Sequence, residues 1–568
     1  MKCKKLTAVL FTSILSFASI STASACTMVY VGKDASEDGS SYVARSEDLN
    51  EGKNKIFAVH QGETHAAGEM YQGITKFTMP YPEKTFRYTM VRDDDPTECF
   101  AEAGFNENGV AVTATVSTKA KASIVGDKKT NVIGIDPFEK AGITEDDMGS
   151  ILLSQATSAK HAMELLASII DQYGAGEGNS LIVSDQKEAW FMEIVSGHQY
   201  VAIVLPENKV AVVSNMMMLG DISVYPADKI IKSKDLEKLA VDNNFAVYED
   251  AEKTQFNLAK SYRKELIEKN TYRIWGGANL LNPAYAKTID PDPLTTTGFE
   301  MFFDADRKVN LSDITNVLGY RYEGTAHDAN LAQNSLKRAI GCDTQMEIHV
   351  QQIRPNMPKE LAGIQWQGMA NGEYTVYLPN YATLLTDTLE NYQISSPSTF
   401  HADSMYWNFY QTQKLANQNR SMYGTNIKTF WRSYQQKLIE QQASVDKEML
   451  ALYKTDPTKL NAKATAISKA VAKEALGHEK TILSELEAFI AKNPNPTTAF
   501  VPSLLGVTPV HPTYSFTMDE EPIVKPATDE LKKKDVNTAD TTNHGLLFLV
   551  ISFSGFAISL LALKKRKA

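Results

Sequence analysis

Cys26 stands directly after Ala23-Ser24-Ala25, a small-x-small triplet of the kind at which an export leader is cut. Ahead of it lie a basic start (Lys2, Lys4, Lys5) and an apolar run from Leu6 to Ile20. That run is too short and too rich in Ser and Thr for a comfortable membrane span. Cleavage after Ala25 makes Cys26 the first residue. A cysteine there holds two tools: the thiol is a nucleophile, and its own α-amino group, with an ordinary pKa of about 7.7–8.0, serves as base near neutrality. No separate His is then required, and the ten His residues fall into no catalytic pattern. The competing readings are an ordinary first-strand cysteine, a retained anchor and a lipid-modified cysteine. The last wants Leu three residues before the cysteine, where Ala23 stands, and lipid on Cys26 would block the chemistry.

Arg45-Ser46-Glu47-Asp48 follows Cys26 by the length of one β-hairpin. A guanidinium beside a thiol favours the thiolate, and a carboxylate can hold or orient an amine. A surface Arg–Asp pair is the competing reading, and such pairs are worth little. Other chemistries lack their motifs. There is no His-Glu-x-x-His, no Cys-x-x-Cys, no Gly-x-Ser-x-Gly and no Gly-rich phosphate loop, so no cofactor or metal is expected. Asp93-Asp94-Asp95-Pro96 reads as a solvated turn, and Asp304-x-Asp306 lacks the glycine of a calcium loop. Trp275 and Trp366 are candidates for a pocket wall or for core. Once the leader is gone, Cys26, Cys99 and Cys342 remain, and an odd number flags one free thiol. Cys99 and Cys342 form a pair or stay as buried thiols.

The elements that must position these residues read first as β. Thr27–Gly32 and Ser41–Arg45 form an antiparallel pair around the Asp38-Gly39 turn, which returns Arg45 and Asp48 toward Cys26. Further strands are expected at Val110–Val116, Ser180–Val183, Ala189–Val195, Tyr200–Leu205 and Lys209–Val213, each bounded by turn-forming residues. Helical spacing marks Asp147–Thr157 and Ser158–Gln172, and Ser312 suits the N-cap of a helix over Asp313–Gly319. The pattern implies a layered α+β core rather than a βαβ alternation. From about Thr412 to Lys492 the chain turns long, charged and helical without sustained heptads, as helices packed on the main domain would be.

With those motifs in order, the chain resembles the cysteine N-terminal-nucleophile dipeptidases, relatives of penicillin V acylase and bile salt hydrolase. Cys26-Thr27 and Arg45-x-x-Asp48 match the family's start. Gly104-Phe105-Asn106-Glu107-Asn108-Gly109-Val110-Ala111 resembles its Gly-Met-Asn-Glu-x-Gly-Val-Ala. Glu188-Ala189-Trp190-Phe191-Met192-Glu193 and Tyr320-Arg321-Tyr322-Glu323-Gly324-Thr325 resemble its dipeptidase segments. The resemblance implies an αββα N-terminal-nucleophile sandwich with additional C-terminal helices. It implies attack by Cys26, proton transfer by its α-amine, and tuning by Arg45 and Asp48. Asn215 would donate to the oxyanion, with backbone near Thr115 or Val116 as second donor, and Arg273 would match a second active-site arginine. Relatives that act on bile acids and penicillins have an Asn at the second donor; this sequence has none there. The implied substrate is a short peptide. A non-peptide amide, or a binding role on a hydrolase scaffold, is the alternative.

Residues 1–25 are thus read as leader, 26–492 as the catalytic domain and 493–544, rich in Pro, Thr, Asp and Lys, as an extended linker. Residues 545–563 form an apolar segment of membrane-spanning length, and 564–568 a basic tail. Lys564, Lys565, Arg566 and Lys567 place that tail on the cytoplasmic side and the domain outside. Wall attachment is the lesser reading, since no Leu-Pro-x-Thr-Gly is present and Thr538-Ala539 is at best an echo of it. A net charge of -10 and the absence of a basic arm argue against nucleic acid. Oligomeric state is not legible in the sequence.

Overall fold

A short apolar strand sets the frame. Thr27–Val31 is buried along its whole length, as a strand covered on both faces must be. Met28 and Tyr30 point into one core and Val29 and Val31 into another. The computed structural model, which describes residues 26–49, 52–97, 100–296 and 298–510, shows what covers each face.

Thr27–Val31 pairs antiparallel with Ser41–Asp48 on one side and Val210–Val213 on the other. These strands belong to a seven-stranded sheet that continues through Gln345–Ile353, Gly363–Met369 and Leu378–Asn380, with Phe302–Phe303 at the far edge. An eight-stranded antiparallel sheet runs Ile230–Lys232, Tyr200–Val204, Ala189–Ile194, Asn179–Ser184, Ala111–Ser117, Ala101–Phe105, Tyr88–Asp93 and Lys55–His60. Met28, Tyr30 and Val43 of the first sheet share a core with Val116, Ile182, Phe191 and Ile203 of the second, so the sheets stack face to face. The outer face of the second sheet buries Leu181, Val183, Trp190 and Met192 under the helices Glu145–Gln155 and Ala159–Tyr173. The outer face of the first buries Val29, Ile348, Val350 and Trp366 under Glu268–Leu281, Leu311–Leu318 and the long helices Met405–Gln418, Thr425–Thr455 and Leu460–Lys492. The layer order is helix, sheet, sheet, helix, as the expected αββα sandwich requires.

Local expectations are met to within a residue or two for most of the strands and helices read from the sequence. The cap of Leu311–Leu318 is a correction. Asn310, not Ser312, accepts from Asp313 N, while the Asp313 carboxylate accepts from Asn310 N in a reciprocal capping box. Ser312 lies two residues further on, within the first turn, and donates to Gln436. The linker is a second correction in its first part, because residues 494–510 strap across the long helices. Phe500 is buried, its N–H donates to Met422 O and its carbonyl accepts from Asn426 Nδ2. Val510 N donates to Glu474 at 3.0 Å. Proline and threonine content does not keep a segment free when one aromatic residue finds a core. Trp275 and Trp366 are core residues, the latter donating Nε1 to Gln352 at 3.0 Å. The expected leader, apolar segment and basic tail lie outside the described residues; among the described residues no helix is long and apolar enough to cross a membrane.

Candidate active site

Register brings the first two candidate residues together. Arg45 is the cross-strand partner of Met28, and Arg45, like Val43, faces the second sheet, the side on which Cys26 also lies. Arg45 Nη2 donates to Cys26 Sγ at 3.1 Å. Both residues are fully buried. Burial pushes the Cys26 thiol up to about 12, against the pull of the Arg45 charge, and the carboxylates of Glu145, Asp48 and Glu47 push the same way as burial. In this closed environment the thiol holds its proton until a base takes it.

Arg45 is held by carboxylates that sequence reasoning missed. Nη1 donates to Glu102 at 2.6 Å and lies 3.6 Å from Glu347; Nη2 lies 3.4 Å from Glu145. Glu102 comes from the second sheet, Glu347 from the first and Glu145 from the first turn of Glu145–Gln155, so three layers meet at one guanidinium. Glu102 also lies 3.5 Å from Lys55 Nζ, which contacts Asp93 and Glu47 as well. Glu47, Asp93 and Glu102 form the acidic cluster whose geometry could hold a cation, and the Lys55 ammonium contacts all three. Burial and the Glu102 charge drive Glu47 well above the ordinary carboxyl range, whereas Arg45 and Lys55 outweigh burial and keep Glu102 ionised. A signal was present: Glu102 interrupts an otherwise apolar strand, Ala101–Phe105, where an unpaired charge would be costly.

Asp48 lies three residues beyond Arg45 and meets the helix side of the sheet. Its carboxylate accepts from Arg338 Nη2 at 3.0 Å, and burial raises it while Arg338 and then Arg273 pull it down. Arg273, offered by the resemblance as a second active-site arginine, is fully buried inside Glu268–Leu281. Its Nη1 donates to the Cys26 carbonyl and to Thr27 Oγ1 at 3.1 Å. Its Nη2 donates to Asn215 Oδ1 at 2.8 Å and Asn270 Oδ1 at 2.9 Å. Fixing Oδ1 in this way turns the Asn215 amide nitrogen toward Ala111–Ser117, where it donates to Ser117 O at 3.1 Å. Contacts therefore link Cys26, Arg45, Asn215 and Arg273, and Asp48 is tied to them through charge, acting on Cys26 and being acted on by Arg273.

Two further features shape the site. The ladder between Ala111–Ser117 and Asn179–Ser184 passes from Thr113↔Ile182 to Val116↔Ser180, one extra residue on the first strand. A bulge of this kind re-aims backbone N–H groups, here around Ala114 and Thr115. The segment after Asn215 is tied down from both sides: Met218 N and Leu219 N donate to the buried Glu193 carboxylate at 2.5 and 3.3 Å, and Arg263 donates to Met217 O at 3.0 Å. Cys342 is a free thiol, buried near Asp48 and pushed up to about 11 by that burial; Cys99 lies outside the described residues.

Comparison with known proteins identifies the family. The family model described as Peptidase family C69 matches residues 25–433. A probable dipeptidase B of Streptococcus pyogenes serotype M1 is 31% identical over 509 residues, covering 86% of this chain and 98% of that protein. A probable dipeptidase of Latilactobacillus sakei is 30% identical over 401 residues, 68% of this chain and 79% of the other. Among solved structures, penicillin V acylase from Agrobacterium tumefaciens aligns at 10% identity over 62% of this chain and 85% of its own, with a TM-score of 0.28. A mutant conjugated bile acid hydrolase from Clostridium perfringens aligns at 11% identity over 61% and 89%, with a TM-score of 0.30. At these scores the structural likeness adds nothing to the layer order derived above.

Proposed function

This chain belongs to peptidase family C69, and on that footing we propose that it is a cysteine dipeptidase whose nucleophile is Cys26, active once Cys26 is the first residue. The observation that carries the reading is the 3.1 Å contact from Arg45 to the Cys26 sulfur, at the residue a leader cleavage would expose.

The reading implies the following steps. The α-amine of Cys26 takes the thiol proton, and Arg45 stabilises the thiolate beside it. The sulfur attacks the peptide carbonyl. The oxyanion is met by Asn215 Nδ2, held in orientation by Arg273, and by a backbone N–H of the bulge near Thr115. The α-ammonium then returns its proton to the leaving amine, which leaves an acyl thioester on Cys26. Water, deprotonated by the same amine, attacks the thioester and frees the acyl product. Asp48 holds the α-ammonium, balanced on its far side by Arg338. From the end segments of the sequence we place the domain outside the cell, exported by residues 1–25 and tethered through 545–563.

Replacing the nucleophile tests this. Cys26→Ala, purified and shown to be folded, abolishes cleavage of dipeptides if the reading holds. Dipeptide cleavage that survives the change at wild-type rate refutes it.

A further inference from the structure

The charged groups that surround Cys26 are closed to solvent with one exception. The side chains of Arg45, Glu102, Glu347 and Asp48 are 0% exposed and Glu145 is 10% exposed, whereas Arg338 is 26% exposed. Arg338 thus spans from the buried Asp48 carboxylate, 3.0 Å away, out to the surface. Its second nitrogen, Nε, is buried and has no hydrogen-bond partner. Of these charged groups Arg338 is the one solvent reaches most, and its Nε donor is left without a partner.

A second cation stands nearby. Lys269 is half-buried one helical turn before Arg273, and its carbonyl accepts from Arg273 Nε at 2.7 Å. Burial, and then the charges of Arg273, Lys119 and Arg338, hold the Lys269 ammonium below its ordinary value. The charge of Cys26 in turn reaches Arg338. The Asp48 side of the site therefore carries several mutually acting positive charges, in a chain whose net charge is -10. Crowded cations around an unsatisfied donor are relieved by an anion, and a guanidinium that offers parallel N–H groups matches a carboxylate in particular.

We infer that Arg338, with Lys269 beside it, is the subsite for the free α-carboxylate of the leaving amino acid, which makes the unblocked C-terminus of a dipeptide the specificity determinant. The inference rests on the dipeptidase reading above. In a dipeptide the carboxylate lies only one residue beyond the scissile carbonyl, a span of about 3.3–3.6 Å of extended chain. Arg338 also orders Asp48, so loss of activity alone would not separate the two roles. The preference for a carboxylate over an amide does separate them, since Asp48 acts on both substrates alike.

The test compares kcat/KM for a dipeptide with uncharged side chains and for its C-terminal amide, in the wild-type chain beginning at Cys26 and in Arg338→Met, Arg338→Lys and Lys269→Met. The wild type favours the free carboxylate by about tenfold or more, mostly through KM, as one charge-assisted contact should give. Arg338→Met brings the ratio to within about twofold, Arg338→Lys retains part of it, and Lys269→Met lowers it by a lesser factor. A wild-type enzyme that cleaves both compounds equally overturns the inference alone. So does an unchanged ratio in Arg338→Met, or, where that variant does not fold, in Arg338→Lys and Lys269→Met together. A wild-type enzyme that cleaves neither compound overturns the dipeptidase reading and the inference with it.

Discussion

At the scale of single residues, the proposed reactivity of Cys26 turns on Arg45. Burial alone drives the thiol toward its neutral form, and Arg45 is the largest influence in the other direction. Its fork is also the hub for Glu102, Glu145 and Glu347, so the guanidinium is itself over-determined. Arg45→Met should raise the thiol further and strand Glu102 in the interior, where an uncompensated charge is costly. We expect kcat/KM to fall by about 10²–10³-fold, with slower alkylation of Cys26 at neutral pH. Alkylation at the wild-type rate would show that the sulfur does not depend on Arg45. The sequence made Arg45 and Cys26 legible because a hairpin of known length links them. It could not show Glu102 or Glu347, which arrive from strands whose partners are far apart along the chain.

At the scale of elements, the strands read most clearly where apolar runs end in turn residues, as at Thr27–Val31 and Ala189–Ile194. Gln345–Ile353 was hidden by its own pattern. Glu347, His349 and Gln351 alternate with Met346, Ile348 and Val350, which reads as a half-exposed strand, yet every residue is buried. Much of the polar face is paired inside: Gln351 donates to Gly104 O and Val112 O of the second sheet, and Gln367 donates to Glu347. Long-range partners of this kind carry no local signal. Glu193 shows the same economy, reaching from Ala189–Ile194 to clamp the segment that follows Asn215. Burial raises its carboxyl from 4.5 to about 7, outweighing the N–H groups of Met218 and Leu219. The folded state therefore binds a proton between those values that the unfolded chain does not. This contribution to stability is complete below about pH 4.5 and is lost as pH rises through 7. The melting temperature of Glu193→Gln should lack that decline, so the gap between wild type and variant changes across this window. Parallel melting curves over the whole window would show that Glu193 is ionised throughout.

At the scale of the whole molecule, four layers converge on one residue at the start of the first strand. Both sheets contribute to the Arg45 cluster, one helix layer supplies Glu145 and the other Arg273. The long C-terminal helices and the strap through Phe500 back the first sheet from outside and leave the Cys26 face to the second. Such a fold holds Cys26 firmly, as the proposed catalysis by its α-amine requires. The layer order followed from the sequence through period and turn signals, whereas the strap did not, because its packing depends on helices that precede it by tens of residues. The central claim, that the terminus of Cys26 is the base, is tested most directly by one pair of rates. They are kcat/KM for a dipeptide with the chain beginning at Cys26 and with the same chain carrying Ala25 in front. The first should cleave, and the second, whose nitrogen is an amide and no base, should be slower by at least about 10²–10⁴-fold, the range general-base catalysis supplies. Equal rates from the two chains would contradict the account.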